Sequence, residues 1–165
     1  MCIRDSEETA RGALGELDDM LGSLRSGAVV RETAPGLDRL DALVGQFRDG
    51  GMTVESDVGA LPWLPQLTSV TAYQVVAEAL TNAARHAGPG PVHLCVRTTP
   101  AVLRVQVVSP LPGTSADGRP APSDRGLGLT GLAERVRLLG GTATAGPDGG
   151  SWVLTAELPR SGTRG

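Results

Sequence analysis

Apolar residues recur along this chain at two spacings, one helical and one strand-like. Residues 7–25 place leucines three or four positions apart, which predicts an amphipathic helix. Further helices are predicted over 36–50, over about 67–87 and, after a pair of glycines, over 126–141. Their apolar positions are Leu14, Leu17, Leu21 and Leu24; Leu37, Leu40, Leu43, Val44 and Phe47; Val75, Val76, Ala79, Leu80 and Ala83; and Leu129, Leu132, Val136 and Leu139.

Alternation of apolar and polar residues predicts the strands. They are residues 52–58, 92–98, 102–109, 142–145 and 151–159. Tight turns are predicted at 98–101 and within "GPDGG" at 146–150. The order of elements then predicts a fold of the α/β (α+β) class, a two-layer sandwich. Its mostly antiparallel mixed sheet carries helices on one face.

Four segments lack either pattern. We interpret "MCIRDS" at 1–6 as a non-native scar and exclude it from the fold. Residues 26–34 are predicted to be a linker, and 160–165 a disordered tail. Residues 110–125 contain four prolines and two glycines, so we expect a mobile loop that is longer than a plain connection. The predicted domain therefore covers 35–159 and follows the helix at 7–25.

Composition narrows the class of protein. A chain of 165 residues supports one domain of ordinary size. Its formal net charge is −3, which excludes the basic surface typical of nucleic-acid binders. Cys2 and Cys95 form neither a disulfide framework nor a metal cluster. Because no apolar run is long enough to span a membrane and no signal peptide is visible, we expect a cytoplasmic domain.

One face of the helix at 67–87 carries candidate chemistry. Glu78, Asn82 and His86 are spaced by four residues and therefore share that face, with Arg85 beside them. Asn82 is the only asparagine in the chain, in a composition where all fifteen basic residues are arginine. The face thus combines a carboxylate, a carboxamide and two potential cations. A solvated helix face would look the same, so the spacing alone leaves both explanations open.

A second candidate is "RGLGL" at 125–129, immediately before a helix. The first N–H groups of a helix lack intrahelical partners and favour anions, so a phosphate could bind there. Gly126 and Gly128 would let the backbone approach such a ligand closely. The alternative is that the glycines only allow the chain to turn into the helix, and that no ligand binds there.

In combination these features resemble the Bergerat-type ATPase domain of sensor histidine kinases, gyrase and Hsp90-like proteins. "VVAEALTNAARHAG" is similar to the N-box of histidine kinases, and "RGLGLTGLAERVRLLGGTATAGPDGGSWVLTAELP" to the G2 box and terminal strand. "GLAERVRLLGG" resembles the branch that is paired with helix-turn-helix response regulators. The likeness covers about 35–159, and 7–25 resembles the end of a dimerisation hairpin.

The resemblance implies roles for the helix at 67–87. Asn82 would ligate a Mg²⁺ ion that bridges the phosphates of ATP, since an amide oxygen is a hard ligand that suits this ion. Glu78 would be the catalytic carboxylate, orienting the metal's water or assisting the phosphoryl acceptor. Arg85 and His86 would face the phosphates, where positive charge offsets the charge that develops during transfer.

The resemblance also implies the rest of the ATP site. Backbone N–H groups of Gly126 and Gly128 would donate to phosphate, and Leu127 and Leu129 complete that segment. The loop at 110–125 would be the ATP lid. Thr155, in the last strand, would line the adenine pocket.

The chain departs from the family pattern at the G1 box, which is "SPLPG" at 109–113. Ser109 stands where an aspartate accepts a hydrogen bond from the adenine amino group. Leu111 replaces the first glycine, and only Gly113 remains. A hydroxyl accepts the bond without charge assistance, so we expect affinity for ATP to fall roughly fivefold.

The resemblance also bears on the phosphoryl acceptor. The histidines of the chain are His86, in the N-box, and His93, in a strand to which we give no role. The family phosphorylates a histidine on a dimerisation helix upstream, so the chain is expected to be truncated before it. The expected partners are that hairpin and, through the full-length kinase, a response regulator. We expect a homodimer in the intact protein and leave a membrane anchor in its N-terminal region open.

Three alternatives remain open at this point. A degenerate ATPase domain could be a regulatory or protein-binding module. An anti-sigma-type serine kinase shares the ATPase fold without a histidine-bearing hairpin. The third is an α/β domain that binds no nucleotide.

Overall fold

The computed structural model describes residues 34–112 and 126–160. The predictions for 1–33, for the loop over 113–125 and for the tail after residue 160 therefore lie outside the described residues. Backbone contacts divide the chain into two units, Met1–Ala34 and Pro35–Gly165. Every element described below belongs to the second unit.

The helices lie close to their predicted positions. A 3₁₀ turn at Leu37–Arg39 leads into helix α1, and two longer helices follow along the chain. Their bounds are Leu40–Asp49 for α1, Gln66–His86 for α2 and Gly126–Leu138 for α3. The 3₁₀ turn is joined to α2 because the backbone N–H of Leu37 donates to Ser69 Oγ at 2.9 Å.

The described residues form one mixed sheet of five strands in the order β1-β2-β3-β5-β4. The strands are β1 Val54–Val58, β2 Val92–Thr98, β3 Val102–Pro110, β4 Thr142–Asp148 and β5 Ser151–Pro159. Only β1 and β2 pair in parallel, and the other three pairings are antiparallel. The predicted fold, an α/β (α+β) sandwich with a mostly antiparallel mixed sheet, is confirmed.

Strand β4 is longer than predicted. The alternation ends at residue 145, but β4 continues through Gly146 and Pro147 to Asp148. Proline is tolerated there because β4 is an edge strand, so its missing N–H breaks no ladder. The turn is confined to Gly149 and Gly150, both with positive φ (53° and 85°), as a tight hairpin of primed type requires.

The core lies between the sheet and the helices. Alternate strand residues are buried in register, including Val92, Leu94 and Val96 of β2 and Leu103, Val105 and Val107 of β3. They pack with the buried side of α2, where Val75, Val76 and Leu80 have no exposed surface. These residues belong to one continuous cluster, to which α1 and α3 also contribute. The long helix α2 is thereby fixed across the strands, and its polar face is left for other contacts.

None of the helices in the described ranges combines the length and the hydropathy needed to cross a membrane.

Candidate functional site

The polar face of α2 is half-buried against α3. Glu78, Asn82 and His86 all have intermediate exposure, although a solvated helix face would leave them open to water. Gln74, four residues earlier, extends the same row, and its Oε1 accepts a hydrogen bond from Arg135 Nη1 of α3 at 3.0 Å. This cross-link holds the two helices together beside the candidate residues. Sequence reasoning missed it because the partners are 61 residues apart.

Glu78 lies directly against the first turn of α3. The Cβ that a side chain would add at Gly128 would overlap Glu78 Oε1, and the carboxyl carbon of Glu78 is 2.8 Å from the same point. Only a glycine leaves room for the carboxylate there. The "GLGL" segment and the α2 face, which were separate in the sequence, therefore meet at one place.

Four elements converge at the C-terminal end of α2. They are the last turn of α2, the end of β3, the first turn of α3 and the start of β5. They enclose a cavity of about 10 Å³, room for roughly one water molecule. The described residues that line it are Asn82, Ala83, His86, Ala87, Ser109, Pro110, Leu129 and Trp152.

The carboxamide of Asn82 is incompletely satisfied within the described residues. Its Nδ2 atom is buried and has no hydrogen-bond partner there. An unmet buried donor costs about 1–3 kcal/mol, so its retention suits a site that a ligand completes. A phosphate oxygen could accept from Nδ2, whereas a half-turn of the amide would instead present Oδ1 to a cation.

Gly88 brings the end of α2 onto the end of β3. Its N–H donates to Pro110 O at 3.0 Å, and an added Cβ would collide with the carbonyl oxygen of Leu111. Ser109, the adjacent β3 residue, is 6% exposed and faces the helices. The position in which the family pattern has an aspartate thus lies inside the cavity beside Asn82 and His86.

The remaining predicted residues divide into three groups. Leu129 lines the cavity, and Gly126 and Leu127 begin the first turn of α3. Arg85 is exposed on α2 and is not among the residues that line the cavity. Gly113 lies outside the described residues.

The structure corrects the placement of Thr155. This residue lies between buried Leu154 and Ala156 on β5, so its side chain is on the opposite face of the sheet. There it accepts a hydrogen bond from Gln106 Nε2 at 3.4 Å. Thr155 therefore does not line the cavity. Trp152 of the same strand does, and it is the cross-strand neighbour of Ser109.

Trp152 also borders a second, wider space. A groove of about 520 Å³ runs between α3 and strands β4 and β5. Trp152 and Leu129 line both the groove and the small cavity, so their side chains separate the two spaces. The register of β3 with β5 places Trp152 there, and no local pattern in the sequence signals that pairing.

The described side chains do not form a metal cage by themselves. No group of three or more His, Cys, Asp and Glu in these residues is placed to hold an ion. Glu78 and Asn82 are nevertheless one helical turn apart, a carboxylate and an amide on one face. Such a pair suits Mg²⁺, which is bound by few protein ligands together with substrate phosphates.

Comparison with known families agrees with this geometry. The family model described as "Histidine kinase-, DNA gyrase B-, and HSP90-like ATPase" matches residues 68–162. The match covers more than half of the chain and includes α2 from Thr68 onwards, the residues that line the cavity and the terminal strands. The chain belongs to this family, and it is an ATP-binding catalytic domain of the histidine kinase type. The family and the fold predicted from the sequence are therefore confirmed.

Among curated proteins, the chain is 31% identical over 150 residues to the sensor histidine kinase YxjM of Bacillus subtilis. The aligned part covers 85% of this chain and 34% of that protein, so the chain spans about a third of its relative's length.

Solved structures share the fold. The blue-light activated histidine kinase of Erythrobacter litoralis EL346 superposes with a TM-score of 0.60 at 24% identity, covering 77% of this chain and 42% of that one. The histidine kinase AdeS of Acinetobacter baumannii gives 0.61 at 15% identity, covering 94% of this chain and 81% of that one.

Proposed function

We propose that this domain binds Mg·ATP in the cleft between α2, the end of β3 and α3. It then donates the γ-phosphoryl group to a histidine on an upstream dimerisation helix of the parent kinase. The observation that carries the proposal is the contact of Glu78 with Gly128. That contact joins the carboxylate–carboxamide face of α2 to the glycine-opened N-terminus of α3.

Electrostatics at this contact support a cation. The first N–H groups of an α-helix lack intrahelical partners and favour an anion, and α3 begins at Gly126. A phosphate bound there would lie beside the carboxylate of Glu78, and two neighbouring anions repel unless a cation lies between them. Asn82 Oδ1 and the phosphate oxygens would hold Mg²⁺, and the ion would neutralise charge on the transferring group.

Glu78 is placed to act on the acceptor. It is the only carboxylate on the α2 face, counting the described residues 66–86. We assign it the role of orienting the acceptor histidine or receiving its proton. His86 lines the cavity and Arg85 precedes it in the last turn, so both would add positive charge near the phosphates.

The acceptor belongs to another part of the parent protein in this proposal. His86 lies in the site itself, and His93 Nδ1 is 3.0 Å from Glu55 Oε2 at the β1–β2 edge of the sheet. The partners would be the dimerisation hairpin and, through the phosphorylated histidine, a response regulator. We also propose that the intact protein is a homodimer.

Phosphoryl transfer to a supplied acceptor tests the proposal. The chain is mixed with a purified dimerisation hairpin that carries an acceptor histidine, and acid-labile label from [γ-³²P]ATP is counted. We expect the Glu78→Gln variant to transfer label about 100-fold more slowly, because it removes the acid–base group. Its affinity for ATP should change little. Glu55→Gln, a matched change at the far edge of the sheet, should transfer label as the wild type does.

Two results separate the possibilities. Transfer by Glu78→Gln at the wild-type rate would refute the role of this carboxylate. Binding of ATP by the wild type without transfer to any hairpin would refute the kinase proposal and favour a degenerate regulatory module. Ser109 in place of an aspartate, and a cavity with room for roughly one water, are the observations that favour this second candidate.

A further inference from the structure

We propose that Ser109 and Trp152 form a purine subsite that holds the base mainly by stacking, so that GTP and ATP bind with similar affinity. The inference rests on the proposed function, because it requires a nucleotide in this cleft. It goes further by naming the residues that contact the base and the range of bases they accept.

The polar groups at the cavity do not distinguish the two purines. An ionised carboxylate only accepts hydrogen bonds, so it selects the 6-amino group of adenine over the 6-oxo group of guanine. The hydroxyl of Ser109 donates as readily as it accepts. Asn82 and His86 are assigned above to the metal ion and the phosphates, and neither is a carboxylate. Of the described residues that line the cavity, none carries a carboxylate.

Trp152 supplies the stacking surface. It is paired with Ser109 across the β3–β5 ladder, and directly opposed residues have neighbouring side chains on one face of a sheet. The indole therefore lies next to the hydroxyl that would meet the base. Stacking on an aromatic ring tolerates any base, because every base presents a π-face. Binding through Trp152 would then be strong without being selective.

Space for the base requires Trp152 to move. The cavity holds about 10 Å³, far less than a purine ring occupies. On its other side Trp152 borders the groove of about 520 Å³ between α3 and the β4–β5 hairpin. A change of side-chain rotamer towards this groove would open the cavity and leave the indole as one wall of the base subsite. Binding should therefore alter the surroundings of the indole.

Tryptophan fluorescence reports this movement directly. The chain contains two tryptophans, and Trp63 is 84% exposed outside the cavity. The Trp63→Phe variant leaves Trp152 as the sole indole. We expect Mg·ATP and Mg·GTP each to change its emission, with dissociation constants that agree within about threefold. Trp152→Ala should weaken both nucleotides on the order of tenfold, and Trp152→Phe, which keeps an aromatic ring, by less.

Restoring a carboxylate tests the role of Ser109. Ser109→Asp should tighten ATP and weaken GTP, so that their ratio of affinities rises to about tenfold or more. Thr155→Asp is the matched control, because it adds the same carboxylate on the opposite face of the sheet. It should leave the ratio near that of the wild type. Circular dichroism establishes that each variant is folded.

The outcomes distinguish this proposal from the proposed function. If the wild type binds ATP more than about tenfold tighter than GTP, the relaxed specificity is wrong and the kinase function stands. If nucleotide binds without altering Trp152 emission, the indole does not contact the base. If neither nucleotide binds the folded chain, both proposals fail. Where Ser109→Asp does not fold, the wild-type ratio and Trp152→Phe still decide the question.

Discussion

At the scale of single residues, the site depends on a glycine that makes room for a carboxylate. Gly128 has no Cβ, and Glu78 Oε1 occupies the volume that a Cβ would need. The colliding atom is the end of a flexible side chain, so a substitution at Gly128 would displace Glu78 without disturbing the backbone. We therefore expect the loss of this contact to lower activity much more than it lowers the free energy of unfolding.

Gly128→Ala should separate these two effects. We expect phosphoryl transfer to fall about 100-fold, because a displacement of roughly 1 Å at a reacting group has this effect. The melting temperature should change little. Gly131→Ala on the same helix is the control, since its Cβ would meet nothing within 4 Å. It should keep full transfer and gain up to about 1 kcal/mol in helix stability. Equal transfer by the two variants would contradict the assigned role of Glu78.

Spacing within the sequence could bring candidate residues together only where they lie on one local element. Glu78, Asn82 and His86 share a helix face, so their spacing was enough to place them together. Trp152 was missed because strand pairing alone brings it to Ser109. Thr155 was misplaced although the apolar phase of its strand, Leu154, Ala156 and Leu158, was readable and puts it on the other face. The alternation of apolar and polar residues along a strand predicts which face of the sheet a side chain lies on, and it does so more reliably than the residue's place in a family motif.

At the scale of elements, the site is the junction of a helix end with a strand end. Gly88 allows this junction, because its N–H donates to Pro110 O and the Cβ that it lacks would collide with the backbone of Leu111. Here the colliding group would be main chain, which cannot move aside cheaply. A side chain at this position would push the end of β3, and Ser109 with it, away from α2.

Gly88→Ala should therefore lower both stability and nucleotide affinity. We expect a loss of about 1–3 kcal/mol in the free energy of unfolding, measured by urea titration, as is typical of overpacking. Gly146→Ala on strand β4 has no atom within 4 Å of its added Cβ and should be neutral or slightly stabilising. Wild-type stability and ATP binding in Gly88→Ala would show that the junction tolerates a side chain.

Most helices and strands could be predicted because apolar residues recur clearly at the helical spacing in some segments and at the strand spacing in others. Helix α2 and strands β2 and β3 have the predicted faces buried. The end of β4 could not be predicted, because Gly146 and Pro147 are turn residues in most settings and only an edge strand accommodates them. The contact of Gln74 with Arg135 depends on how two helices cross, which neither helix encodes alone.

At the scale of the whole molecule, one apolar layer positions the entire site. The buried side of α2 packs on the sheet, and the adjacent polar face of the helix lies beside the first turn of α3 and the end of β3. The carboxylate of Glu78, the carboxamide of Asn82 and the imidazole of His86 therefore lie together near the N-terminus of α3. The family match indicates ATP as the ligand, and in our proposal Ser109 and Trp152 determine how its base is held.

Calorimetric titration of Mg·ATP into the wild type and the Asn82→Ala variant tests the site most directly. We predict binding by the wild type and a loss of at least about tenfold, or 1.4 kcal/mol, in Asn82→Ala. Gln106→Ala removes a carboxamide from the opposite face of the sheet and should bind as the wild type does. Equal affinity in wild type and Asn82→Ala, or no binding by the folded wild type, would contradict a nucleotide site at the end of α2.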